Sequence, residues 1–257
     1  SDNSLDKLEF IANNFPIYKK LICLPDLHFK TKNFVPSGMC IPTKGYFSPL
    51  FLGPNNDSMG VLKFRINNNK LSESAIENIF NKLKNKIKMF RRSKNIINNE
   101  ITENIFMNGI KDIIVDWGFS MDDLRKFDDS GCVKSFDDIN DIKASFSNKR
   151  SESLPSWVPN HDIYDRGKKC IGVLDGTSHF IELFKVEKSL NNDYEDYLDI
   201  TSRDYYFLIH AAAGDIGILS HRQYLNQNEN RYDIKTELGQ LAYNSFAIAG
   251  NYGFANR

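Results

Sequence analysis

The sequence predicts an α+β fold around one mixed core. Three observations predict it. Short apolar segments broken by Gly and Pro fill residues 20–66, the apolar spacing changes to every third or fourth residue near position 72, and strand-length apolar segments return between 170 and 210. In the first region, residues 21–24, 39–41, 46–52 and 61–66 read as strands with loops between them. Ser74-Ala75-Ile76-Glu77 then fits a capping box, and Ile76, Phe80, Leu83, Ile87 and Phe90 mark one face of a helix of about four turns. Its polar side carries Lys82, Lys84, Lys86, Lys88, Arg91 and Arg92. These cations suit either a polyanion backbone or a solvated surface placed where the helix dipole favours positive charge.

A second helix is expected over residues 101–117. The acidic, Ser-rich tract at 137–156 has the weakest pattern and reads as an exposed excursion or a connector. Strands follow at 170–174, 180–186 and 205–210. Over 237–254, Ala242, Ala247, Ala249 and Gly250 stand among aromatics, as in a helix packed closely on a sheet. We expect one domain over residues 1–257, with 72–156 a helical and acidic excursion within it.

Lys+Arg and Asp+Glu both number 33, so no global field draws in nucleic acid and any RNA contact must come from a local patch. Apolar runs such as Tyr205-Tyr206-Phe207-Leu208-Ile209 are too short to cross a bilayer, and the first residues lack the regions of a signal peptide. No membrane partner and a cytoplasmic location are therefore expected. Cys23, Cys40, Cys132 and Cys170 form no C-x-x-C pair, which points to isolated thiols in a reducing compartment.

Chemistry concentrates in a few motifs. Ile22-Cys23-Leu24-Pro25-Asp26-Leu27-His28 is followed by Cys40-Ile41-Pro42-Thr43-Lys44-Gly45 and by Gly53-Pro54-Asn55-Asn56-Asp57-Ser58-Met59-Gly60. Further on stand Arg166-Gly167-Lys168, then Gly176-Thr177-Ser178-His179-Phe180-Ile181-Glu182, and His210-Ala211-Ala212-Ala213-Gly214-Asp215-Ile216-Gly217. The chain closes on Ala249-Gly250-Asn251-Tyr252-Gly253-Phe254-Ala255-Asn256-Arg257. In this order the motifs resemble the RtcB-type RNA ligase family. That family reads Met-Pro-Asp-Val-His, Ile-Pro-Thr-Lys-Gly, Gly-Val-Asp-Ile-Gly-Cys-Gly, Gly-Gly-Gly-Asn-His-Phe-Ile-Glu, His-Ser-Gly-Ser-Arg-Gly-Leu-Gly and Ala-x-Asn-Tyr-Ala-Trp-Ala-Asn-Arg.

The resemblance implies mixed sheets with flanking helices around one central cleft. It implies GTP and manganese as cofactors. The implied reaction, used in tRNA splicing and RNA repair, joins an RNA 2′,3′-cyclic phosphate or 3′-phosphate to a 5′-hydroxyl through a guanylylated His. By the match, Asp26 and His28 stand at catalytic positions. His179, His210, Asn55 and Ser58 stand at metal positions, and Ser178, Phe180 and Glu182 at nucleotide positions. Asn55 and Ser58 replace the family's Asp and Cys, and the Ser-Gly-Ser-Arg loop has become residues 211–214, which lack its hydroxyls and its phosphate-reading Arg. Asp215, next in sequence, is expected to repel a phosphate.

His179 and His210 are then either a weak metal remnant, poor for manganese, or hydrogen-bonded pocket histidines. The sequence ends before the family's third metal His and its guanylylated His. The expectation is a divergent, C-terminally short relative that does not ligate alone and keeps the scaffold for binding or assembly; RNA is the ligand class that the resemblance implies. The alternatives are one part of a split ligase whose partner is a C-terminal half, or a pseudoenzyme with a protein partner.

Overall fold

A computed structural model describes residues 4–28, 35–52, 58–64, 66, 70–89, 97–146, 163–174, 179–188, 193, 201, 204–225 and 231–257. Helix α1 (Ser4–Asn14) precedes β1 (Ile22–His28) and β2 (Ser37–Cys40), which pair antiparallel. Their register shifts between Cys23 and His28. Gly38, at φ +79°, fits there because a Cβ would run into Asp26 and Leu27. Strand β3 (Tyr46–Phe47) is shorter than the expected 46–52, because Pro49 cannot donate to a ladder and instead opens a 3-10 turn at Pro49–Phe51.

Strand β4 (Ser58–Phe64) leads toward helix α2 (Glu73–Lys86). The cap of α2 is Ser72, whose hydroxyl accepts from the Ala75 amide, two residues before the capping box read from sequence. The helix also stops early. Ile87 is extended and Lys88–Met89 becomes β5, paired parallel with β6 (Val173–Leu174), so tertiary pairing overrides the helical spacing that ran to Phe90. Helix α3 (Asn99–Asn108) ends nine residues short of the expected 117. Gly109, at φ +63° and with the Gly131 carbonyl in the space of a Cβ, turns the chain there. Helices α4 (Ile139–Ser145) and α5 (Ile163–Cys170) follow, so Cys170 closes a helix instead of opening a strand.

Strands β7 (Phe180–Lys185) and β8 (Tyr205–Ala211) lead to α6 (Gly214–Tyr224), β9 (Tyr232–Asp233) and α7 (Glu237–Asn256). The architecture is α+β. Beside the β1–β2 and β5–β6 pairs, β3 pairs with β9, and β4-β8-β7 form an antiparallel three-stranded sheet. Helix α7 packs against α3, α4 and α6, and the largest core gathers Ile105, Phe106, Ile142, Ile216, Ile248 and Tyr252 around it. Small residues make this possible: Ala242, Ala247 and Ala249 are at most 2% exposed. No helix among the described residues is long and apolar enough to cross a membrane.

His221, on α6, faces the Phe246 ring at 6.3 Å. Burial lowers its pKa, while hydrogen bonding to the Pro49 carbonyl acts in the opposite sense. A His kept neutral by folding takes up protons more readily when unfolded. Stability is therefore complete above the unfolded value, about 6.5, and is lost as pH falls from there toward the depressed folded value. Circular dichroism melts should show a fall in Tm between about pH 7.5 and about pH 5.5 that is shallower in His221→Gln. An equal slope in the variant would assign the pH response to other groups.

Candidate functional site at one end of the central sheet

The antiparallel register of β8 brings three sequence-distant segments to one place. His210 lies opposite both Met59 of β4 and Phe180 of β7, and Ala211 lies opposite Ser58. Because side chains alternate along strands, Met59, His210 and Phe180 share one face of the sheet, followed on that face by Val61, Leu208 and Glu182. His179 sits directly before β7. Its ring is 5.1 Å from that of His210, nearly edge-on at 77°, and the Phe180 ring lies 5.1 Å from His210. His179 is buried and His210 half-buried.

Beyond His210 the chain runs through Ala211, Ala212 and Ala213, all at most 1% exposed, into α6. Asp215 stands in the first turn of α6, where the helix dipole favours a carboxylate. Its Oδ2 accepts from Nη1 of Arg166 on α5 at 3.0 Å, with the two side chains 18% and 4% exposed. The negative charge expected to repel a phosphate is thus engaged by an internal guanidinium.

The closing helix braces this end of the sheet. Asn256 donates through Nδ2 to the Ala212 carbonyl at 2.7 Å and accepts from the Gly172 amide at 2.7 Å. Tyr252 donates to the Gly167 carbonyl at 2.6 Å. Arg257 donates to the Met59 carbonyl at 3.0 Å, with its guanidinium carbon 4.3 Å from the Phe254 ring centre. Sequence reading assigned these closing residues no part in the site. The available signal was a set of polar side chains in an otherwise apolar helix, where each must find a partner.

The sequence model of the tRNA-splicing ligase RtcB family matches residues 7–257. The chain belongs to the RtcB family. No match is found among curated proteins.

For this RtcB-family chain, the site residues divide as follows. His179, His210, Phe180 and Glu182 lie together at or along the β7–β8 pair, with Glu182 exposed. Ser58 begins the adjoining strand, where its backbone pairs with Ala211. Asn55 and Ser178 lie outside the described residues. Asp26 and His28 sit exposed on β1 in a separate sheet, where Nδ1 of His28 is hydrogen-bonded to the Asp26 carbonyl.

The fit of the family's cofactors can be tested on these residues. Two imidazoles sharing one ion, at about 2.1 Å per nitrogen, would place their ring centres roughly 5 Å apart, close to the spacing found. Yet no group of three or more His, Cys, Asp or Glu gathers at metal-holding distance among the described residues. A pair of neutral donors fits a borderline ion better than manganese, the weakest binder of the divalent series. For a nucleotide, Phe180 offers a ring and Glu182 a carboxylate on the same sheet face, although that ring already packs on His210.

Proposed function

We propose that this chain is an RNA-binding relative of the ligases that receives RNA 3′-phosphate ends at the His179–His210 pair and does not join them unaided. The carrying observation is the contrast within one site. Both imidazoles are held together at the sheet end, while the loop beside them consists of buried alanines, and Arg166 pairs with Asp215, the residue that follows the loop. Imidazoles can donate to a terminal phosphate. Ligation asks for more, namely charged ligands that hold manganese beside a bound nucleotide, and Asn55 and Ser58 supply no charge at the corresponding positions.

The reading makes GTP and manganese the ligases' cofactors and not tight ligands of this chain. It is a pseudoenzyme by this account, and it belongs in the cytoplasm. Cys23 and Cys40 are exposed thiols on paired strands, but the register puts them on opposite faces, which suits a reducing compartment.

Electron paramagnetic resonance of Mn²⁺ titrated into micromolar protein should show no stoichiometric binding. Incubation with GTP, Mn²⁺ and RNA ends should give neither guanylylated protein nor ligated product. RNA bearing a 3′-phosphate should bind several-fold tighter than the same RNA ending in a 3′-hydroxyl, and His179→Ala or His210→Ala should erase that preference. Ligated product, or equal affinity for the two ends, would defeat the proposal.

A further inference from the structure

We infer that helix α2 is the surface by which this chain holds the sugar–phosphate backbone of single-stranded RNA; the inference rests on the RNA-binding reading above. Charge segregation is the first ground. The chain as a whole is balanced, yet residues 78–99 contain no Asp or Glu while holding the six cations read from the sequence and Lys94. Four cations elsewhere are paired: Arg125 with Asp122, Lys126 with Asp123 and Lys168 with Asp165, each three residues apart, and Arg166 with Asp215. Lys82, Lys84 and Lys86 are exposed and take part in no ion pair among the described residues.

Packing does not account for the helix either. It carries no buried residue, and Ile76, Ile79, Phe80 and Leu83 reach only partial burial. The helix dipole explains cations in the last turn, Lys84 and Lys86. It does not explain Lys82 or the absence of carboxylates through residue 99. Lys82 and Lys86, one turn apart, flank one side of the apolar stripe, and Lys84 flanks the other. Cations spread over both flanks of an exposed helix match a polyanion that tracks along a surface better than a small anion, which needs converging donors.

Position completes the case. The helix runs into β5, where Met89 lies opposite Leu174 in the parallel β5–β6 pair. His179 lies five positions after Leu174, a span of at most about 18 Å, so the basic segment is tied to the chain that delivers His179 to the site. A strand whose 3′ end rests at the imidazoles would have its upstream phosphates within reach of α2.

The test uses the 257-residue chain and a fluorescent single-stranded RNA of about 20 nucleotides, ending in 3′-phosphate or 3′-hydroxyl, followed by anisotropy over a range of NaCl. The triple variant Lys82→Gln, Lys84→Gln, Lys86→Gln should bind both RNAs at least about tenfold more weakly at low salt. Its slope of log K against log salt should be shallower by about 2. The matching triple Arg variant should bind like wild type, and unchanged thermal melts of both variants establish that folding is intact. His179→Ala should keep the wild-type slope and lose only the preference for a 3′-phosphate.

Wild-type affinity and slope in the Gln variant would overturn the role of α2 while leaving the end-binding site standing. A slope that falls as expected in a protein with no end preference would uphold α2 and reject the site. No RNA binding by wild type, or tighter binding of polyglutamate than of RNA, would overturn the inference about α2.

Discussion

Replacing Asn251 by alanine should lower the free energy of unfolding by about 3–5 kcal/mol, because it strips partners from several buried backbone groups at once. Asn251 is 0% exposed on α7. Its Oδ1 accepts from the Val133 amide at 2.8 Å, and its Nδ2 donates to the carbonyls of Phe106 at 3.0 Å and Lys134 at 2.9 Å. Alanine supplies none of these bonds and leaves a small void where the amide stood. Asn251→Asp keeps an acceptor for Val133 but turns an uncompensated charge toward two carbonyls, so it should cost at least as much. Urea unfolding would measure both. A loss of under about 1 kcal/mol, with an unchanged m value, would mean that water or local movement replaces the side chain.

Arg166→Met should cost a comparable amount, about 3–5 kcal/mol, because it removes a guanidinium that pairs with the Asp215 carboxylate in a largely buried setting. Asp215→Asn should be milder, since the amide can still accept from the guanidinium. The double variant Arg166→Met, Asp215→Asn should recover much of what the first substitution loses, and the double-mutant cycle gives the coupling directly. Additive losses would show that the pair is not coupled and that each side chain acts through packing alone.

Local signals in the sequence went far toward the fold. The apolar segments at 21–24, 39–41, 61–66, 180–186 and 205–210 each overlap a strand, and the small-and-aromatic stretch at 237–254 is the helix α7 that the core is built around. Failures occur where long-range geometry overrules local preference. Residues 110–117 have helical spacing, but Gly109 turns the chain so that its neighbour Ile110 can bond to the Gly131 carbonyl. Residues 88–89 fit the end of a helix, but their pairing with β6 draws them out as a strand.

The site shows the same division. His179 and His210 were legible because each follows or ends a recognisable motif, and strand pairing does bring their rings together. The partnership of Arg166 with Asp215, 49 positions apart, was not legible. Neither was the bracing by Asn256 and Arg257, since nothing in a helix pattern states which distant carbonyl a terminal amide or guanidinium will reach.

The alternation along β8 also bears on what a folding error would mean for this chain. Were β8 to pair one residue out of step with β4 and β7, Ala211 would take the position of His210 and the imidazole would turn to the opposite face. The misregistered sheet would still bury apolar side chains, because Phe207 and Ile209 alternate with Tyr206 and Leu208. Hydrophobicity alone therefore gives weak proofreading of this strand. The Asn256 bond to the Ala212 carbonyl and the Arg257 bond to the Met59 carbonyl fix the alignment at the strand ends, so the terminal helix acts as a gauge that sets which residue faces the site.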